Sequence, residues 1–172
     1  MTAGPMIRSV TFDTNVFPTD GLAAQARALG LEVAVISVSA REAEGSSVED
    51  EIRSLVQVLE TGVWGESRWG QAQLGDRSDA ERLESILDLL SNGAFPATGA
   101  REQLTHGQRR QLRDAMILAA HIRSGRDLLV TNDARAFVAA GRRAAISESF
   151  STATMTVKEF EAFLRNLTPP AG

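Results

Sequence analysis

The chain has 172 residues, 43% of them hydrophobic, and a formal net charge of -4, which suits one domain with one sizeable core and excludes a disordered chain. It contains no cysteine and two histidines, which excludes disulfides, thiolate metal sites and zinc sites built from several histidines. No apolar run approaches a membrane span, and Met1–Pro5 lacks the basic start and apolar core of a signal peptide, so no membrane association is expected and the cytoplasm is the default location.

Met6–Phe12 reads as a first strand that runs straight into Asp13. Pro18 to Asp20 breaks the chain, and Gly21–Leu29 reads as a short helix stopped by Gly30. Leu31–Val38 is rich in β-branched residues and reads as a second strand. Ser39 then stands in capping-box spacing with Glu42. Helices are expected over Val48–Leu59 and Ser78–Leu90, the second with an apolar stripe of Leu83, Ile86, Leu87 and Leu90. Thr61–Asp76 holds both tryptophans and several glycines and reads as a loop or lid, and Ser91–Gly99 as another loop.

A long helix is expected over Gln108–Ser124, with Gly125 as its stop. Leu128–Thr131 reads as a third strand, Asp133–Ala140 as a short helix ended by Gly141, and Thr154–Val157 as a last strand before a helix over Val157–Leu167; Pro169 and Pro170 close the chain. No repeat or interdomain linker is seen, so residues 1–172 read as one domain with a longer helical and loop insertion around 61–99. Strands alternating with helices predict a three-layer α/β/α sandwich with a mainly parallel central sheet. In such sheets ligands bind beyond the carboxyl ends of the strands, which is where Asp13 and Asp133 fall.

Four carboxylates stand out. Asp13 ends an apolar strand, where a buried charge needs a partner or a cation; an Asx turn with Thr14 and Asn15 is the structural alternative. Asp133 ends Val130-Thr-Asn-Asp and can cap a helix as well as ligate, with Thr131 and Asn132 beside it. Asp114 opens the buried part of the long helix; an ion pair with Arg110 or the helix dipole would also account for it. Glu42 competes with Glu44, since only one of the two can face a common site. Three or four converging carboxylates cannot all stay ionised without a cation, and an all-oxygen set suits Mg²⁺ or Mn²⁺. Such a metal polarises a phosphate oxygen and acidifies water, so no separate protein base is required.

The order and spacing of these segments resemble the PIN domain family of metal-dependent ribonucleases. Asp13-Thr-Asn15 is similar to the family's opening motif, Ser37–Gly45 with Glu42 to its second, Asp114–Ala120 to its third and Leu129–Asp133 with Phe137 to its fourth; Met155–Phe160 resembles its last strand and helix. The resemblance spans nearly the whole chain. It implies a PIN-like fold, Mg²⁺ or Mn²⁺ on Asp13, Glu42, Asp114 and Asp133, and hydrolysis of RNA phosphodiesters. It also implies the toxin role of a toxin–antitoxin pair, with an antitoxin protein and a homodimer among the partners. The chain departs from the family's pattern in its long Thr61–Gly99 segment, in Ala136 where many relatives carry a further Asp, and in Arg41 and Glu44 where relatives are often apolar.

Residues 41–100 carry five Arg against twelve Asp and Glu, whereas residues 101–143 carry nine Arg against four. That asymmetry suits a basic surface beside an acidic site, or solvated helix faces. Arg110 and Arg113 are candidate contacts to RNA phosphates, and Arg109 reads rather as a solvated residue. His121 is expected to be a packed or hydrogen-bonded histidine. Trp64 and Trp69 are expected to anchor their loop to the body, with stacking on unpaired bases as the other reading. A PIN-like scaffold that binds RNA or protein without cutting is the competing function. A phosphatase or phospho-accepting receiver ranks lower, because Asn15 stands where a second Asp is usual and the one Lys, Lys158, is close to the C-terminus.

Overall fold

The computed structural model describes residues 6–139 and 141–167. The readings of Met1–Pro5, of Ala140 as a helix end and of Pro169–Pro170 lie outside the described residues. The central sheet is built from β1 (Ser9–Phe12), β2 (Glu32–Ile36), β3 (Val56–Val58), β6 (Leu128–Val130) and β7 (Ala153–Met155). Its order is β3-β2-β1-β6-β7, and every neighbouring pair is parallel. Val10 and Phe12 of β1 face Val33 and Val35 on one side and Leu128 and Val130 on the other in direct register.

Both faces of the sheet are covered, which is why its strands read as nearly continuous apolar runs. Val10, Phe12, Val33, Val35, Leu128 and Val130 pack on one face with α1 (Leu22–Ala28), Ile52 of α3 (Glu49–Arg53) and Phe160 and Leu164 of α7 (Val157–Asn166). Ile36 and Leu129 pack on the other with α4 (Arg77–Ser91), α5 (His106–Arg123) and Ile146 of α6 (Arg142–Phe150). The architecture is a three-layer α/β/α sandwich with a mainly parallel five-stranded sheet. No described helix is long and apolar enough to cross a membrane.

Several boundaries differ from the sequence reading, each for a local reason. The helix expected over Val48–Leu59 ends at Arg53, and Val56–Val58 instead pairs with Ala34–Ile36. The free edge of β2 offers a ladder to two β-branched valines, and that pairing overrides helix periodicity. The second strand stops at Ile36, and α2 (Ser37–Glu42) follows without a loop. Ile36 is therefore the N-cap, and Ser39 is buried inside the helix rather than capping it. The first strand begins at Ser9, not Met6. A short parallel pair, β4 (Glu60–Thr61) with β5 (Ala72–Gln73), closes the base of the tryptophan loop. The turn after Asp133 is a single π-type turn, Ala134–Val138. Helix α6 was not foreseen: only Ile146 of it is buried, so it carries almost no amphipathic signal, although joining two parallel strands demands a crossover.

The long helix begins at His106 rather than the expected Gln108, and its start is chemically marked. Thr105 accepts from the Gln108 amide at 3.2 Å, and the Gln108 side chain accepts from the Thr105 amide at 2.9 Å, closing a capping box. Its alanines let it lie close to the sheet, and Leu112 and Ala115–His121 are buried.

His121 sits in that interface with no solvent exposure. Its Nδ1 lies 2.8 Å from Thr11 Oγ1 and its Nε2 lies 2.6 Å from Thr152 Oγ1. Arg126 Nε donates to Thr11 Oγ1 at 3.1 Å, so Thr11 ties the imidazole to the buried guanidinium. Burial, helped by the Arg126 charge, pushes the imidazole pKa down to about 3. Between that value and the unfolded value of about 6.5, the unfolded chain takes up a proton the folded one refuses, so stability falls as pH drops. Above about pH 6.5 the contribution is complete and flat. Replacing His121→Gln should cost about 1–3 kcal/mol at neutral pH by disturbing a buried hydrogen-bonded pair. It should also remove a stability slope of up to about 1.4 kcal/mol per pH unit in that window. Urea midpoints of both proteins between pH 4 and 7 test this; parallel curves would refute the assignment.

Candidate functional site

The chain leaves β1 toward β2 on one side and later returns as β6 on the other side of β1. The strand order reverses there, which opens a crevice at the carboxyl ends of β1 and β6. Asp13 lies directly at this point. Its amide donates to Val130 O at 3.0 Å, so it extends the ladder between the two strands.

The Asp13 side chain is 3% exposed. It accepts from Thr131 Oγ1 at 2.7 Å, Thr14 N at 2.7 Å and Asn15 Nδ2 at 2.8 Å. Thr131 has one hydroxyl proton, which the short contact to Asp13 takes. The same oxygen accepts from the Asp133 amide at 2.9 Å. Asn15 Oδ1 accepts from the Asn132 amide at 2.7 Å, and Asn132 Nδ2 donates to Asn15 O at 3.2 Å. The loop after β1 is thus laced to the loop after β6 through Asp13, Asn15, Thr131 and Asn132. Burial pushes the Asp13 pKa up to about 6, against the Thr131 and Thr14 hydrogen bonds and with the charges of Glu42 and Asp133.

Glu42 is the last residue of α2, just beyond β2. It accepts from Thr14 Oγ1 at 2.8 Å and lies 3.8 Å from Arg113 Nη1. Glu44 points elsewhere and pairs with Arg68 at 2.6 Å. Asp133 caps the following turn through the Ala136 amide at 2.8 Å and pairs with Arg110 at 2.9 Å. The expected cap is present, and the Arg110 ion pair weighed for Asp114 falls on Asp133 instead. Arg110 therefore does not bond to Asp114.

Asp114 is half-buried on α5. Burial comes first among the influences on it, followed by the charges of Asp13 and Asp133, then Arg110 in opposition, then Glu42; together they push its pKa up to about 8. The structure thus brings Asp13, Glu42, Asp114 and Asp133 to the same end of the sheet, near enough to repel one another. Among the described residues, however, no three His, Asp or Glu side chains stand in ready-made coordination geometry. The polar partners explain this: Glu42 is hydrogen-bonded to Thr14 and faces Arg113 at 3.8 Å, and Asp133 is bonded to Ala136 and Arg110. The donor set itself is all oxygen and suits a hard divalent cation.

Two acids escaped the sequence reading. Glu66, 4% exposed in its side chain, accepts from Arg109 at 2.5 Å and from Arg113 Nε at 3.2 Å. Arg109 is therefore paired rather than merely solvated. Glu60 is fully buried and accepts from Ser37 Oγ at 2.5 Å and Arg41 Nη1 at 2.7 Å. It grips α2 along its length and so fixes where Glu42 emerges. Trp64 and Trp69 overturn their expected role: they are 98% and 99% exposed, so neither anchors the loop. Glu66 does so instead, together with Arg68.

No family model matches this chain, and no curated protein matches it.

The crowding of carboxylates has a consequence for the metal-free protein. Because the Asp114 pKa is raised above the unfolded value of about 3.9, the folded state binds its proton more tightly, and stability declines as pH rises from 4 through 8. In EDTA, Asp114→Asn should melt higher than wild type at pH 8.5 by about 2–4 °C or more, the shift of roughly 1 kcal/mol, and the gap should close near pH 5. Calorimetry at both pH values decides; a variant no more stable at pH 8.5 would mean that the carboxylates do not strain this site.

Proposed function

We propose that the protein is a metal-dependent endoribonuclease that hydrolyses RNA phosphodiester bonds with Mg²⁺ or Mn²⁺ held by Asp13, Glu42, Asp114 and Asp133. The observation that carries this reading is the convergence of the four carboxylates around the β1–β6 crevice, fastened by Thr131, Thr14 and Asn15. Structural caps and surface ion pairs do not require four mutually repelling acids gathered about a buried one, whereas a cation site does.

A divalent cation there would supply Lewis acidity toward a phosphate oxygen and toward an attacking water. The protein's own part is orientation. Thr131 and the Thr14 amide aim Asp13, Thr14 Oγ1 aims Glu42, and the Ala136 amide aims Asp133. Arg110, with 67% of its side chain exposed, and Arg113 are placed at the rim, where guanidinium groups can hold flanking phosphates. The likeness to the PIN domain family supports the same chemistry and the role of a toxin with an antitoxin partner, as a homodimer, and the cytoplasm is the default setting. One observation favours the alternative of a silent RNA- or protein-binding scaffold: two of the four acids are already engaged with Arg110 and Arg113.

Purified wild type should cut single-stranded RNA in Mn²⁺ and not in EDTA. Asp13→Asn and Asp114→Asn should each lose more than the roughly 10–100-fold typical of groups that merely support a ligand. Neither cutting nor Mn²⁺ binding would favour the scaffold, whereas Mn²⁺ binding without cutting would point to a restricted substrate or an inhibited state. Glu42→Gln should weaken Mn²⁺ binding more than Glu44→Gln in titration calorimetry; the reverse order would move the site toward Glu44.

A further inference from the structure

We infer that the loop between β4 and β5 is a base-stacking subsite for unpaired RNA, with Trp64 and Trp69 as its two platforms. This rests on the nuclease reading for its substrate class. Both indoles are almost wholly in water, although burying such a ring elsewhere would be strongly favourable. The backbone displays them by design of its turns. Each tryptophan is followed by a glycine in the left-handed region, Gly65 at φ 82° and Gly70 at φ 80°, a conformation that residues with a Cβ resist.

The loop is also held firmly. Ser67 N and Glu66 N donate to Val63 O at 2.9 and 3.1 Å, Ser67 Oγ accepts from Val63 N at 2.9 Å, and Gly62 N donates to Gln73 O at 2.9 Å. Glu66 fastens it to Arg109 and Arg113, and Arg113 in turn reaches Glu42. One arginine therefore connects the loop to the carboxylate end of the sheet.

The intervening residues, Gly65-Glu-Ser-Arg68, are polar or lack a side chain. The fastening of the loop through Glu66 and Arg113 toward Glu42 ties both indoles to the carboxylate end of the sheet, which suits a strand of unpaired bases leading to that end. Arg68, Arg109 and Arg113 are each paired with Glu44 or Glu66, acids with which a phosphate of a bound strand would compete for them.

These are the only two tryptophans, and the chain has no tyrosine, so its near-ultraviolet emission reports this loop alone. A short single-stranded 2′-O-methyl oligoribonucleotide, which resists cleavage, should quench that emission saturably, and the same strand in a duplex should quench it far less. Trp64→Ala and Trp69→Ala should each weaken binding of the labelled strand about tenfold and raise KM more than they lower kcat, with melting unchanged. Unaltered emission at saturating strand, or a double variant that binds and cuts like wild type, would overturn the inference while leaving any nuclease activity standing. Quenching without cleavage of ordinary RNA would keep the subsite and remove the nuclease reading. An emission shift on concentrating the protein alone, with doubling of its sedimentation mass, would assign the loop to contact between copies and overturn the inference.

Discussion

The hydrogen bond from Thr131 to Asp13, across the carboxyl ends of β1 and β6, is the contact on which the candidate site depends. It requires that the two strands pair in parallel with Phe12 beside Val130, because a slip of one residue would turn Asp13 or Thr131 to the opposite face. It also requires Asp13 to be buried, which is costly for a carboxylate unless donors meet it. Three donors do. The two loops that supply them are in turn joined through Asn15 and Asn132.

The opposite end of the sheet is built on another logic. Arg126 is buried and donates to Thr11 Oγ1, Val10 O, Glu32 O and Glu32 Oε1. Asp127 accepts from the Arg8 and Ser9 amides and from Ser9 Oγ. There the charged groups are matched to donors and acceptors, and the Asp127 carboxyl is held below its ordinary range despite its desolvation, chiefly by the Arg8 and Ser9 bonds. At the carboxyl end burial, reinforced by the neighbouring acids, instead pushes Asp13 and Asp114 up. Unrelieved strain confined to one end of a sheet marks a functional region more readily than a structural one.

The features legible in the sequence were those written locally. Asp13 and Asp133 could be read because an apolar strand runs into each, and Asp114 because a run of small and apolar residues follows it on a capped helix. The Ser39 cap failed because nothing in the sequence reveals that β2 passes into α2 without a loop. Glu60 and Glu66 were missed because their partners are remote in the chain, 19 residues away for Arg41 and 43 and 47 residues away for Arg109 and Arg113. Neither acid stands at a periodic or capping position, so only the folded chain shows that each is buried. The exposed tryptophans failed for a related reason: large apolar residues are usually buried, and composition cannot say when a pair of left-handed glycines turns them outward.

Electrostatics links the proposed cation site to the proposed RNA. Every arginine near the mouth on α5 already faces an acid: Arg109 and Arg113 face Glu66, Arg113 also nears Glu42, and Arg110 faces Asp133. Asp13 adds negative charge with no arginine bonded to it, and Asp114 adds more once it ionises, so the bare mouth repels phosphate. A bound cation would reverse that sign, and a bound phosphate would in turn oppose loss of the cation. By linkage each must tighten the other by the same factor. The arginines on α5 gain a second role in this arrangement: a guanidinium drawn from its carboxylate toward a phosphate would leave that carboxylate free to turn inward. Ion pairs that keep the acids apart in the free protein are therefore the same contacts that RNA would exchange on binding.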